Sequence, residues 1–125
     1  MATTTLTAES IGQTISENGI VLVDFWAQWC GPCRMFGPVF EASSETHPDI
    51  VHAKVDTEAE QELAQELQIF SIPTLMAFRD GVLVFNQAGA LPAPALEQVV
   101  QAVKELDMDE VRAKIAAQQD GQPQG

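Results

Sequence analysis

The sequence predicts an α/β fold: a mixed central β-sheet of about five strands, flanked by about four helices on both faces. Three observations carry this expectation. Apolar residues alternate repeatedly between strand-like and helix-like spacing along the chain. IVLVDFW, at 20–26, is a continuous run rich in β-branched residues, the pattern of a strand buried on both faces. TLMAF and VLVFNQ are joined through Arg79-Asp80-Gly81, a hairpin signal that adds an antiparallel pair to an otherwise alternating βα order.

The elements follow in order. TTTL at 3–6 reads as an edge strand, and Thr7 is placed to cap a short helix with Ile11 and Ile15 one turn apart on one face. Asn18-Gly19 stops that helix ahead of strand 20–26. A second helix runs from Cys30 to about Thr46, with Pro38 expected to kink it because proline removes an intrahelical donor and clashes with the preceding turn. HPDIVHAKVD holds a loop and a strand around 50–55, and Thr57-Glu58-Ala59-Glu60 has the form of a capping box opening a helix that turns Leu63 and Leu67 inward. After the hairpin Gly89 marks a turn. Pro92 and Pro94 then precede a helix whose inner stripe is Leu96, Val99, Val100, Val103 and Leu106. Asp107 is placed to cap a further turn or two carrying Met108, Val111 and Ile115, and QQDGQPQG has no apolar anchor and reads as a frayed tail. The expected division is a domain at 1–106 and a helical extension with a flexible tail at 107–125.

A chain of 125 residues is long enough for one domain with a core of its own. Its net charge of −12, from 18 acidic and 6 basic residues, argues against binding a phosphate backbone, which needs clustered Lys and Arg. It suits a solvated acidic surface or docking to a basic one. No apolar run approaches the ~20 residues of a membrane span. The start, MATTTLTAES, lacks a basic segment followed by an apolar one, so no signal peptide is expected. With only two cysteines and no targeting segment, a reducing cytoplasm is the expected compartment.

Both cysteines fall within DFWAQWCGPCRMFGPVF, residues 24–40. A thiolate is the reactive form of cysteine, and a free thiol titrates near pH ~8.5. The N-terminus of a helix lowers that value through unpaired N–H groups and the positive end of the helix dipole. Cys30-Gly31-Pro32 sits where such a helix begins, with Pro32 in the first turn, where a missing N–H costs nothing, and Gly31 allowing close backbone approach. Cys33, three residues on, lies one turn above Cys30 on the same face, so the sulfurs can bond. Cys30 at an exposed tip is expected to attack a substrate disulfide, and Cys33, shielded behind it, to resolve the mixed disulfide. Two other chemistries share these residues. With His47 and His52 the cysteines satisfy a zinc-finger spacing, against which Pro48 and Ile50-Val51 make loop and strand where the finger needs a helix. A cysteine hydrolase would pair Cys30 with one histidine but leaves Cys33 unexplained.

WCGPC resembles the active-site signature of thioredoxins, and the match extends from about Thr4 to Leu106. It is carried by spacing: Asp24 and Pro38 on either side of the cysteines, Lys54 in AKVD, Pro73 in SIPT and Gly89 in AGAL. The resemblance implies a thioredoxin fold and a protein disulfide reductase that needs no cofactor or metal, since its electrons sit in the dithiol. It implies a flavin-dependent, NADPH-linked thioredoxin reductase and disulfide-containing clients as partners, and a monomer. It also implies a cis Ile72–Pro73 bond beside the cysteines and a shallow docking surface of Trp29, Gly31, Pro32, Ile72, Pro73, Gly89 and Ala90, where an extended client strand could pair with the backbone of Ile72. Asp24 inside an apolar strand should have a raised pKa, which suits a general base for Cys33, with Lys54 pairing with it and tuning it. Trp26 reads as core. Phe70 departs from the family pattern, which often places Arg or Lys there, and should make the docking rim more apolar. A thiol oxidase or isomerase on the same fold, separated by reduction potential, and a redox-independent binding module or assembly subunit are the alternatives.

Overall fold

The computed structural model describes residues 2–121, leaving aside the side chains of 119–121. The elements run β1 (Thr3–Thr5), α1 (Ile11–Glu17), β2 (Ile20–Trp26), α2 (Gly31–Thr46), β3 (Val51–Asp56), α3 (Gln61–Glu66), β4 (Thr74–Arg79), β5 (Val82–Ala88), α4 (Ala93–Glu105) and α5 (Met108–Gly121). The five strands form one mixed sheet in the order β1-β3-β2-β4-β5. β3 pairs parallel with both β1 and β2, whereas β4 pairs antiparallel with β2 and β5.

β2 is the central strand, and its continuous apolar run has a simple cause: successive side chains feed two separate cores. Val21, Val23 and Phe25 join Ile11 of α1, Leu63 of α3 and Val55 of β3 on one face. Leu22 joins Phe36 and Phe40 of α2 and Leu96, Val100 and Val103 of α4 on the other. The helices are therefore split across the sheet, as expected. The hairpin closes with positive φ at both Asp80 (52°) and Gly81 (82°), the left-handed pair that suits the twist of a two-residue turn.

Two expected helix starts are displaced, for local reasons. The Thr7 N–H donates to Ser10 Oγ at 2.9 Å and its carbonyl accepts from Ser10 and Ile11, so Thr7 anchors a turn and the helix begins at Ile11. Ahead of α3, Asp56 Oδ1 accepts from the N–H groups of Glu58 (2.9 Å) and Ala59 (3.4 Å), while the Glu60 carboxylate accepts from Ala8 N–H at 2.8 Å. No capping box forms there, and α3 begins at Gln61.

The C-terminus of α4 is closed by an arginine from the sheet. One guanidinium nitrogen of Arg79 donates to the carbonyls of Val103 (2.8 Å), Lys104 (3.1 Å) and Leu106 (2.9 Å), groups left without partners where a helix ends. Arg79→Ala is expected to destabilise the protein by about 2 kcal/mol, the usual cost of losing charge-assisted hydrogen bonds at partly buried carbonyls, measured by urea unfolding. α5 is longer than the turn or two expected. Asp107 caps it, accepting from Glu110 N–H at 3.2 Å, Met108 is buried, Lys114 pairs with Glu110 at 3.3 Å, and Arg112 reaches Asp80 in the hairpin turn at 3.4 Å. Helical geometry persists through residue 121 into the segment expected to fray, and residues 122–125 of that segment lie outside the described residues. No helix among the described residues is long and apolar enough to cross a membrane.

Candidate functional site

Residues 27–30 carry the chain from the end of the central strand into the first turn of α2. Cys30 is the N-cap residue, with extended backbone (φ −88°, ψ 116°), and its Sγ accepts the Cys33 N–H at 3.2 Å. Pro32 occupies the first turn, as its fixed φ and missing donor favour. The two sulfurs are joined in a disulfide, with Cα atoms 5.2 Å apart.

One expectation fails here. Cys30 is not an exposed tip: it is only 4% exposed, against 5% for Cys33. Trp26 and Ile72 pack against the pair, and the Ile72 carbonyl oxygen lies 3.6 Å from Cys30 Sγ. The sulfurs differ by position instead. Cys30 caps the helix and faces its first amides, whereas Cys33 sits one turn in and borders a cleft lined by Trp26, Gln28, Arg34, Gly37 and Lys54. Arg34, which the sequence reading passed over, donates to the Gln28 carbonyl at 3.1 Å and steadies the loop ahead of Cys30. Its place directly after the second cysteine was the available signal.

The Ile72–Pro73 bond is cis, and the Pro73 carbonyl accepts from Gly89 N–H at 2.8 Å, with Gly89 at φ 109°. That hydrogen bond draws the turn after β5 against the proline loop. Of the expected docking residues, Gly31, Pro32, Gly89 and Ala90 are exposed, Trp29 is 67% exposed, and Ile72 is half-buried. Pro73 is buried, so it shapes the surface from beneath. The space above Gly31 is open.

Asp24 is fully buried, and neither carboxylate oxygen has a hydrogen-bond partner among the described residues. Strand alternation puts it on the same face of β2 as Leu22, toward α2, and as Trp26, which packs against the cysteine pair. Burial pushes its pKa up from 3.8 to about 7, an effect that the positive charge of Lys54 opposes. Lys54 lies opposite Asp24 in the β2–β3 register, but its Nζ sits 5.2 Å from the Trp26 ring centroid. The direct Lys54–Asp24 pair expected from sequence is replaced by a cation–π contact, and Lys54 reaches Asp24 through its field alone.

The histidines are engaged elsewhere. His52 Nδ1 donates to the Ile50 carbonyl at 3.1 Å, which leaves Nε2 to accept from Ser43 Oγ at 3.0 Å, and burial lowers its pKa. His47 accepts from Lys104 Nζ at 3.3 Å and donates to the Glu97 carboxylate at 2.7 Å. It lies just past the far end of the 16-residue α2, which at ~1.5 Å per residue spans roughly 24 Å, too far to share a metal with Cys30. No group of three or more metal-ligating side chains occurs among the described residues.

Two sulfurs that close across one helical turn can store and surrender two electrons with no other group involved. That chemistry, on this sheet, defines a thiol–disulfide oxidoreductase. The thioredoxin family model matches residues 2–102. The chain is 56% identical over 118 residues to Putative thioredoxin 2 of Streptomyces coelicolor, covering 94% of this chain and 88% of that protein. It is 41% identical over 101 residues to the thioredoxin of Bacillus subtilis, covering 80% and 96% of the two chains. The structure of a mutant thioredoxin from Halobacterium salinarum superimposes with a TM-score of 0.76 at 35% identity, covering 83% of this chain and 91% of that one. The chain belongs to the thioredoxin family and is a protein disulfide reductase acting by dithiol–disulfide exchange through Cys30 and Cys33.

Proposed function

We propose that Cys30 is the attacking thiolate and Cys33 the resolving one. The observation that carries this assignment is the Cys33 N–H donating to Cys30 Sγ at the start of α2: the same donor and dipole would stabilise negative charge on Cys30 after reduction. In the reduced protein the Cys30 thiolate attacks one sulfur of a client disulfide. A Cys30–client bond forms, and the client S–S bond breaks to release the first client thiolate. Cys33, deprotonated, then attacks Cys30 Sγ, which closes the Cys30–Cys33 disulfide and expels the second client thiolate. Two electrons pass to the client, whose thiolates take up two protons.

Asp24 is the group suited to accept the Cys33 proton, because a carboxyl titrating at about 7 is partly ionised at neutral pH and basic enough to act. Lys54 moderates it by charge. Trp29, Gly31, Pro32, Ile72, Gly89 and Ala90 receive the client, with Pro73 beneath them. Recharging falls to a flavin-dependent, NADPH-linked thioredoxin reductase, and the protein works as a cytoplasmic monomer. Residues 1–106 form the exchange domain and 107–125 an accessory extension, a division supported by the family match ending at 102 and α5 beginning at Met108.

Insulin reduction tests the reading, first with dithiothreitol as electron donor and then with NADPH and a thioredoxin reductase. Catalysed precipitation of the insulin B chain is expected in both. Failure in both would sink the reductase reading, whereas success with dithiothreitol alone would remove only the proposed recharging partner.

A further inference from the structure

Beside the disulfide, two large aromatic side chains stand in solvent. Trp29 is 67% exposed and Phe70 is 85% exposed, both far beyond what a side chain with only a core role shows. They line one open slot, with Ala64, Ile69 and Ile72 as its other apolar residues and Thr57, Glu58, Gln61 and Gln65 as its polar ones. The slot adjoins the redox centre through Ile72, which packs against the cluster of Ala27, Cys30 and Cys33 and whose carbonyl oxygen lies 3.6 Å from Cys30 Sγ. Among the described residues, Glu58 is the only charged side chain lining it, and no basic residue does so.

We infer that Phe70 is a specificity-determining residue. With Trp29 it forms the walls of a slot for one bulky apolar side chain of the client, carried on an extended segment next to the attacked cysteine. The inference rests on the exchange reading above and names the client class. A client side chain entering this slot removes apolar area from water on both aromatic rings at once, and aromatic walls are the surfaces on which binding energy concentrates. An acidic side chain would meet Glu58 with no cation to receive it, so acid at that position is disfavoured, more so at low ionic strength. Phe70 touches the client and not the reacting sulfurs, so it acts on choice of client rather than on chemistry.

The test uses three matched peptide disulfides with Phe, Ala or Glu beside the attacked cysteine. In the wild type kcat/KM should favour Phe over Ala by about tenfold, the scale on which an apolar pocket discriminates, with Glu below Ala. In Phe70→Ala the Phe-to-Ala ratio should fall to about one, and Phe70→Leu should restore most of it. Because Phe70 is exposed, neither substitution threatens the fold. Calorimetric binding of the same peptides with cysteine replaced by serine, measured on the oxidised protein, gives a readout that needs no turnover. If the wild type reduces none of the peptides, the exchange reading fails, and the slot is judged on binding alone. A Phe preference lost in Phe70→Ala supports the slot, while equal binding of the Phe and Ala peptides, or a preference that Phe70→Ala leaves intact, overturns it.

Discussion

Cys33→Ser should turn the catalyst into a trap. A client disulfide attacked by Cys30 would remain bonded to it, visible as a covalent adduct on a non-reducing gel and by mass spectrometry. The hydroxyl that replaces the resolving thiol cannot displace it. The substitution keeps the backbone N–H of residue 33, which is what faces Cys30 Sγ at 3.2 Å, so the attacking sulfur retains its stabilising donor. Cys30→Ser should instead abolish the reaction: no adduct forms, and insulin reduction falls by ~10³-fold or more, as expected when a nucleophile is removed from a unit that works together. Both sulfurs are nearly equally buried in the disulfide form, so exposure offers no basis for this asymmetry and helix position offers all of it. An adduct on Cys33 in Cys30→Ser, with none on Cys30 in Cys33→Ser, would reverse the assignment.

Asp24→Asn should separate stability from catalysis. The buried carboxyl titrates at about 7 in the folded chain against 3.8 ordinarily, so between those values the folded state holds more protons than the unfolded one. Wild-type stability from this group is therefore full below 3.8, declines as pH rises to about 7, and is level above. Each pH unit in that window is worth about 1.4 kcal/mol. The variant, which cannot ionise there, should gain on the wild type across the window, reaching about 4 kcal/mol at pH 8 as an upper figure. Denaturant unfolding of both oxidised proteins at pH 4, 6 and 8 measures the difference. Turnover should move the other way, with release of the mixed disulfide slowed by ~10²-fold at pH 7 for want of a base. A pH-independent stability difference would show that folding leaves the Asp24 pKa at its ordinary value, too acidic for a base, and the base assignment would go with it.

Much of this was readable from residue types. β2 was legible because a strand fed by two cores must be apolar throughout, and Asp24 stood out because it breaks that rule. The hairpin was legible because Asp-Gly tolerates the left-handed backbone that a tight turn requires. The cysteine pair declared itself through Pro32 at a helix start. What escaped was decided by competition across sequence distance. Thr57 has the letters of a capping residue, but Asp56, at the end of β3, takes the amides first. Lys54 sits opposite the acid in register, yet the Trp26 ring holds its ammonium. The extended α5 brings Arg112 to Asp80 on a hairpin 32 residues earlier, a contact that no local pattern reveals. The concealment of Cys30 depended on the Ile72 loop folding over it, a contact spanning 42 residues.

Asp24 is sealed between β2 and α2, while Trp29 and Phe70 stand in open water on the outer face. The interior carboxyl therefore never meets a client, and the aromatic pair never meets the interior carboxyl. With the proposed roles, mutational drift on the outside can rewrite the list of accepted partners without disturbing the proton transfer assigned to Asp24, so one scaffold is open to retuning for new clients while its inner chemistry stays constant.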